Sequence, residues 1–575
     1  MIISAIKHIA NKHFCTAIED YKFLFRIHTG KNDMDSVVLH MQDKNLPVEM
    51  IDTRMSYNME KVSADRYSDC YEVCVGVRPG TRCIRYFFEL TDMSGSKIYF
   101  GNEEFFDDII TDIDRMFNCT CQFRNEERFD VPKWAAGSVA YQIFPARYAT
   151  TKYVSEKEWY KAPITNNTDL KGDIWGIINT LDHIVELGVD VIYLTPVFMA
   201  GSTHKYDTID YYRVDPAFGT NDDLKELVRR CHELGKKVIL DGVFNHTSTH
   251  FFAFEDVMRN GASSRYRNWY YIEDFPIFTG SMKRPPNYLS FSYFGGMPKL
   301  NLTNPETAEY FIDVGKYWIQ ECDIDGWRLD VGDEISHDFM KKFRKAVKEI
   351  KSDVLIVGED WQYGNDYLDG DEWDTIMNYS FFRMVKDFIA EEKITAEDAM
   401  NMIGHSKGFF HAKVFPVLWN LIDSHDTPRF LNLCGENREK QKLAAAMMLL
   451  LPGMPMIYYG DEYGMTGAKD PDCRRGMVWD KKYRDADTYE WYRNLIRVRK
   501  ECPAIIKGKI TSYLTDNENG LIVYECEDSD GRYAVIFHGK NCIVSLDKYR
   551  GKTELLNNTE FTGSIDGFGT VVIKL

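Results

Sequence analysis

Two segments of the chain nearly repeat each other, "ELGVDVIYLTP" from Glu186 and "ELGKKVILDGV" from Glu233. In each, an amphipathic helix ends at Leu-Gly and a hydrophobic run follows at once. A helix that returns the chain to a strand parallel to the previous one makes a βαβ unit, and few architectures are built from such units. The helix before the second copy carries its own boundaries. Thr220 can cap it, Asp223 sits at its third position, and Leu224, Leu227, Val228, Cys231 and Leu234 form one apolar stripe. Gly235 supplies the left-handed residue past its end. The pattern recurs over residues 304–330, where Asn304 can cap, Pro305 fits the first turn, and Ala308, Phe311, Ile312, Trp318, Ile319 and Cys322 share a face.

Eight candidate strands follow this rhythm: "SVAYQIFP", "VDVIYLTPV", "KVILDGVFN", "DGWRLDV", "VLIVGED", "TIMNYS", "PVLWNLIDSHD" and "MPMIYYG". They point to a (β/α)8 (TIM) barrel over residues 129–505. A doubly wound open sheet is the runner-up, but no Gly-rich phosphate turn follows the first strand. A long aromatic- and Pro-rich stretch, about 247–298, reads as a subdomain inserted after the third strand. Residues 1–128 differ. Short alternating runs such as "KFLFRIHTG" and "CIRYFFELTD", separated by turn residues, predict an N-terminal β-sandwich. Residues 506–575, with "GRYAVIFHG" and "GTVVIKL", predict a C-terminal antiparallel β-domain. The fold class is therefore multidomain α/β and β.

A net charge of −18 disfavours nucleic acid and anionic membrane as partners. No run of apolar residues is long enough to span a bilayer. The thirteen cysteines are scattered without a close CxxC pair, and "MIISAIKHIANKHF" is interrupted by Lys7, His8, Asn11 and Lys12, unlike a secretory signal. A cytoplasmic chain with reduced thiols is expected.

Barrel chemistry sits at the C-terminal ends of the strands. Those ends read Asp241 after "VIL", Asp330 after "GWRL", Glu359 after "LIVG" and Asp426 after "LIDSH". One buried Asp is usually a cap or an ion-pair partner. Several converging on one mouth would repel each other and shift each other's pKa values, which cores avoid without a reason. Two carboxylates facing each other across a sugar can hydrolyse a glycosidic bond, one as nucleophile and one as acid/base, about 5 Å apart when configuration is retained. A metal-dependent hydrolase is the alternative, but "HDT" at 425–427 and "NH" at 245–246 lack the His-rich spacing of a catalytic zinc site.

"DGVFNH" (241–246), "GWRLDVGDE" (326–334), "VGEDW" (357–361) and "LIDSHD" (421–426) resemble the four ordered signature regions of the α-amylase family of glycoside hydrolases, family 13. "MPKLN" (297–301) resembles the extra motif of its neopullulanase, cyclomaltodextrinase and maltogenic-amylase branch, and "YQIFPARY", "GDIWGI", "HKYDTIDYYRVDPAFG", "YYGDEYGMTG" and "DPDCRRGMVWD" are similar to that branch too. The resemblance implies a starch-binding-like N-terminal module and a retaining α-glucan hydrolase. Such an enzyme cleaves α-1,4 bonds, with α-1,6 bonds left open, in cyclodextrins, maltooligosaccharides or pullulan. It implies Asp330 as nucleophile, Glu359 as acid/base with the higher pKa, and Asp426 as the grip on the distorted sugar. Arg328, two residues before Asp330 on the strand, would keep it ionised, and Asp241 would orient Arg328. His246 and His425 are implied as sugar-hydroxyl donors and Tyr206 as a stacking platform. Asp470 and Arg474 are implied as contacts to the next glucose, with a surface ion pair as the alternative. Phe291 and Tyr293 could stack on acceptor sugars or fill a subdomain core.

The chain departs from the branch in places. Where the branch carries "DVANE", Gly332 and Asp333 stand, and Asp360 replaces a β-branched residue before Trp361. These positions border the acceptor subsites, leaving α-1,4 against α-1,6 preference and hydrolysis against transglycosylation open. No cofactor is expected. The family's calcium loop reads "ARYATTKYVSEKEW" here, without close-spaced Asn or Asp, although Asn245 stands where some relatives bind calcium. The branch implies a homodimer. An α-glucosidase or transglycosylase of the same family is the alternative function. A non-catalytic glycosidase-like scaffold is the remote one, and it would lose the carboxylates that this chain keeps.

Overall fold

The computed structural model describes residues 1–45, 54–102, 104–126 and 128–575, which form two compact units. The first unit comprises Met1–Asp130, Leu368–Gly370 and Glu397–Phe415. One of its sheets has the strand order Cys15–Glu19, Lys22–Gly30, Ser68–Gly76, Glu60–Ala64. The other runs Met55–Asn58, Met34–Asp43, Ile84–Asp92, Lys97–Gly101, Glu104–Phe106, with Phe117–Cys119 paired to Ile84–Asp92. Phe25, Leu39, Tyr86, Phe88 and Phe117 fill the space between them. Lys22–Gly30 is buried almost throughout rather than in alternation. Its outward Arg26 donates to the carbonyls of Gly408 and Phe410, so the segment 397–415 covers that face.

The second unit comprises Val131–Tyr367, Asp371–Ala396 and Pro416–Leu575. At its centre is a closed barrel of β1 (Ala140–Ile143), β2 (Val191–Leu194), β3 (Lys237–Gly242), β4 (Gly326–Leu329), β5 (Leu355–Gly358), β6 (Thr375–Asn378), β7 (Trp419–Asn420) and β8 (Met454–Tyr458). Every neighbouring pair is parallel, and β8 closes on β1 with Met456 opposite Ala140. Each strand expected from the sequence contributes one barrel strand.

The helix Asn221–Glu233 has the expected capping box between Thr220 and Asp223, and Leu224, Leu227, Val228 and Cys231 are buried. Leu234 is exposed, because the helix ends at Glu233 and the chain turns before Leu234 can join the stripe. The helix Pro305–Cys322 buries all six residues of its predicted face. A C-terminal antiparallel sheet runs Lys509–Asp516, Leu521–Glu527, Arg532–His538, Thr570–Lys574, Thr553–Glu554, Thr559–Glu560, over a core that includes Val523, Ile536, Phe561 and Ile573. Among the described residues, no helix is long and apolar enough to cross a membrane.

Candidate active site

Barrel register brings the strand-end residues level with one another. Asp241 on β3 lies opposite Arg328 on β4, and Arg328 lies opposite Val357 on β5, two residues before Glu359. Arg328 is fully buried and meets three carboxylates. Its Nη1 donates to both oxygens of Asp241 at 2.9 and 3.0 Å and to Oδ1 of Asp330 at 3.0 Å. Its Nη2 lies 2.8 Å from Oε1 of Glu359. One guanidinium thus pairs with both Asp330 and Glu359.

These charges do not cancel. Burial raises the Asp330 carboxyl well above the ordinary range. Arg328 pulls it down, while Glu359, Asp241 and Asp426 push it up again. Burial raises Glu359 as well, against the pull of Arg328. Asp241 is pushed up to about 6 by burial. Arg328 is therefore beside Asp330 as expected, but one cation among three buried carboxylates does not leave Asp330 with an ordinary pKa. The pair holds protons jointly, to higher pH than free carboxylates do.

A second ring of residues joins the first through Tyr206, whose hydroxyl donates to Oδ2 of Asp241 at 3.1 Å. The Tyr206 ring stacks on His425 with planes 4° apart and centroids at 5.6 Å. Burial drives His425 well below its usual pKa, so the imidazole is neutral. The Gln142 amide contacts its Nδ1 at 2.8 Å, which places the ring proton on Nε2, where it is donated to the Tyr206 hydroxyl at 2.5 Å, with Oδ2 of Asp426 3.2 Å away. Asp426 itself is partly open, with 28% of its side chain exposed. Arg474 reaches Oδ1 of Asp426 at 3.2 Å, Oδ1 of Asp470 at 2.9 Å and the carbonyl of His425 at 2.8 Å. The Asp470–Arg474 pair is thus tied into the site rather than free on the surface. Burial lowers His246 to about 3, its Nε2 has no hydrogen-bond partner among the described residues, and its ring stacks on Phe291 at 5.2 Å. Tyr293 is 80% exposed. Nine of the ten residues singled out as catalytic or substrate-binding are joined by these contacts, and His246 stands apart from them against Phe291.

Three participants were not singled out from the sequence. Tyr193 donates to Asp241 at 2.6 Å, Gln142 contacts His425, and the backbone N–H of Val331 donates to Oε2 of Glu359 at 2.9 Å. Tyr193 and Gln142 stand near the C-terminal ends of β2 and β1, the same signal that marks Asp241. Val331 gives no such signal. It is a β-branched residue in the left-handed region, at φ 47° and ψ 46°, a conformation that costs of order 1–2 kcal/mol.

The structure also tests Asn245 as a cation ligand. Its carboxamide oxygen accepts from the Lys299 ammonium, which lies 3.0 Å from both the carbonyl and Oε2 of Glu334. A lysine already neutralises these oxygens, so the set does not fit a divalent ion. Among the described residues, no group of three or more His, Cys, Asp or Glu side chains is placed to hold a metal.

Comparison with known proteins agrees with this architecture. Residues 142–501 match the family described as "Alpha amylase, catalytic domain", and residues 1–121 match "Alpha amylase, N-terminal ig-like domain". A cyclomaltodextrinase of Geobacillus thermopakistaniensis is 39% identical over 544 residues, covering 93% of this chain and 91% of that one. Neopullulanase 2 of Thermoactinomyces vulgaris is 36% identical over 569 residues, covering 96% and 95%. A solved cyclomaltodextrinase structure superposes with a TM-score of 0.93 at 33% identity, covering 100% of both chains. The chain belongs to the α-amylase family of glycoside hydrolases.

Proposed function

We propose that the chain hydrolyses α-glucosidic bonds in cyclodextrins, maltooligosaccharides or pullulan with retention of configuration. The observation that carries this is the single buried guanidinium of Arg328 against both Asp330 and Glu359. A carboxylate oxygen of Asp330 bonds to the anomeric carbon as the glycosidic C–O bond breaks. Glu359 gives its proton to the departing oxygen. Water then attacks the same carbon, passes a proton back to Glu359 and releases Asp330. The pair must start with its proton on Glu359. The positive charge that develops at the anomeric carbon beside Asp330 favours that arrangement, because it stabilises the Asp330 anion.

Asp426 grips the hydroxyls of the sugar being cleaved, in a contact that strengthens as the ring flattens. His425 and the unpartnered Nε2 of His246 donate to sugar hydroxyls, and Tyr206 supplies an apolar face. Asp470 and Arg474 hold the next glucose on the non-reducing side. Trapping with a slow fluorinated glucosyl donor, followed by peptide mass analysis, should place the label on the peptide carrying Asp330. A label elsewhere sinks the assignment. Turnover of β-cyclodextrin against starch, pullulan and sucrose tests the substrate class, and sucrose as the preferred substrate would overturn it.

A cytoplasmic setting is part of the proposal, and all thirteen cysteines are free thiols in support of it. A homodimer is the other part, resting on the similarity to the cyclomaltodextrinase branch. A sedimentation mass near that of one 67.0 kDa chain at working concentration would refute the dimer.

A further inference from the structure

Beneath the candidate site lies a side chain that the proposed mechanism leaves unused. Trp373 is fully buried and follows β5 in the chain. Its indole packs against three glycines. A Cβ built on Gly358 would lie 2.2 Å from the ring, one on Gly332 2.7 Å, and one on Gly364 3.0 Å. Gly358 is the residue immediately before Glu359. Gly332 follows Val331, whose N–H donates to Glu359 and whose backbone is held in the left-handed region. A Cβ at Gly332 would also stand 3.2 Å from the carbonyl of Glu359. Tyr367 stacks on Trp373 at 4.1 Å with planes 8° apart, and His337 stacks on Tyr367 at 4.3 Å, so the indole is backed by two further rings.

The indole requires a residue without a side chain at 332, because a methyl group there and the ring at 373 cannot occupy the same space. We propose that Trp373 and Gly332 act as a matched positioning pair: the ring, seated against a residue without a side chain, holds the strained Val331–Gly332 turn so that its N–H stays aimed at the Glu359 carboxylate. A strained conformation persists only where its surroundings over-determine it, and here the surroundings are this ring stack. The inference rests on the reading of Glu359 as the acid/base. It assigns the aim of that acid to residues that touch no substrate.

The test uses the full chain as four variants, Gly332→Ala, Trp373→Phe, the double variant G332A/W373F, and Glu359→Gln. Each is assayed for kcat and KM on β-cyclodextrin across pH. Gly332→Ala is expected to lower kcat at least about tenfold with KM little changed, since a misplaced catalytic group costs rate rather than binding. Losing the Val331 donor destabilises the Glu359 carboxylate, so the alkaline limb of the profile moves to higher pH. The charged neighbours of Glu359 are Arg328, Asp241, Asp330, Asp333 and Asp426, with the phenols of Tyr193 and Tyr379. All are left in place by these substitutions. Trp373→Phe alone should move the limb in the same direction by less. The double variant should recover native kcat to within about threefold and return the limb.

A native profile for Gly332→Ala, or a double variant no better than Gly332→Ala, overturns the pairing. If Gly332→Ala does not fold, the double variant still decides, because the inference requires it to fold and turn over. Loss of thermal stability without a moved limb also overturns it, since that is what packing alone would do. Glu359→Gln separates the two levels. An inactive Glu359→Gln beside an unaffected Gly332→Ala sinks this inference alone, whereas an active Glu359→Gln sinks the reading beneath it.

Discussion

Asp325 and Asp330 stand at opposite ends of the same four-residue strand, β4, and their surroundings could hardly differ more. Asp325 accepts from His232 at 2.7 Å, Lys237 at 2.8 Å, Lys351 at 2.9 Å and the backbone N–H of Val238 at 2.9 Å. Burial opposes its charge, but those donors outweigh burial and hold the carboxyl well below the ordinary range. Asp330 shares one guanidinium with Asp241 and Glu359, and its carboxyl is raised. One carboxylate has more cations than it needs and serves as a clamp at the bottom of the barrel. The other has fewer than it needs, at the end where the proposed chemistry would take place. The residue type and the strand are the same, so the difference lies in how many donors each end collects.

The largest expected effect comes from removing the reactive end. Asp330→Asn should cost about six orders of magnitude in kcat, the scale seen when a nucleophile is lost. It should leave the melting temperature unchanged or raise it, because one of three mutually repelling carboxylates is gone. A variant that retains native turnover would end the assignment. One that unfolds would mean that Asp330 is a structural ion-pair partner like Asp325.

The reverse substitution sharpens the contrast. Asp325→Asn leaves Lys237, Lys351 and His232 without their shared counter-charge. The lysines and histidine are partly exposed, so the cost falls at the low end for breaking a buried pair, ~3 kcal/mol in urea unfolding. The folded fraction should keep kcat within about twofold. A marked fall in kcat with unchanged stability would mean that the two ends are not separable.

The pH dependence of stability should carry opposite signs at the two ends. A carboxyl lowered in the fold contributes stability above its unfolded pKa, near 4, and loses it as pH falls through the folded value. Asp325→Asn should therefore flatten the acid-side loss of melting temperature below about pH 4. A carboxyl raised in the fold favours the native state below about pH 4 and that advantage is lost as pH rises through the folded value. Asp330→Asn should gain most over the native chain near neutral pH. Melting curves of the three proteins across pH decide it, and parallel profiles would remove the electrostatic basis of the comparison.

Much of this was legible in the sequence, and the limits have a physical cause. Strand ends and helix caps are local, so Asp241, Asp330, Glu359, Thr220 and Asn304 could be placed from periodicity and capping chemistry. "DIDGWRLD" presents Asp325 and Asp330 with nothing local to tell them apart, because the lysines that satisfy Asp325 come from residues 237 and 351. Tyr193 and Gln142 likewise act on partners distant in the chain. That Asp330 shares its arginine with two other carboxylates is hidden for the same reason. The strand pattern reveals the arginine beside the aspartate, but not the other carboxylates that draw on the same charge. The left-handed Val331 and the ring beneath it have no local signature at all.

Asp470 is the intermediate case, and it carries the smallest expected effect. It has one cation, Arg474 at 2.9 Å, its side chain is 38% exposed, and burial raises its carboxyl despite that partner. Arg474 keeps its contacts to Asp426 and to the His425 carbonyl without it. Asp470→Asn should therefore leave the arginine anchored and cost only a sugar contact, raising KM about two- to fivefold for maltotriose with kcat held. An aryl α-glucoside too short to reach the next subsite should show no change. An equal fall on both substrates would place Asp470 with Asp325, as a residue that supports the fold near the mouth rather than one that meets the glucan.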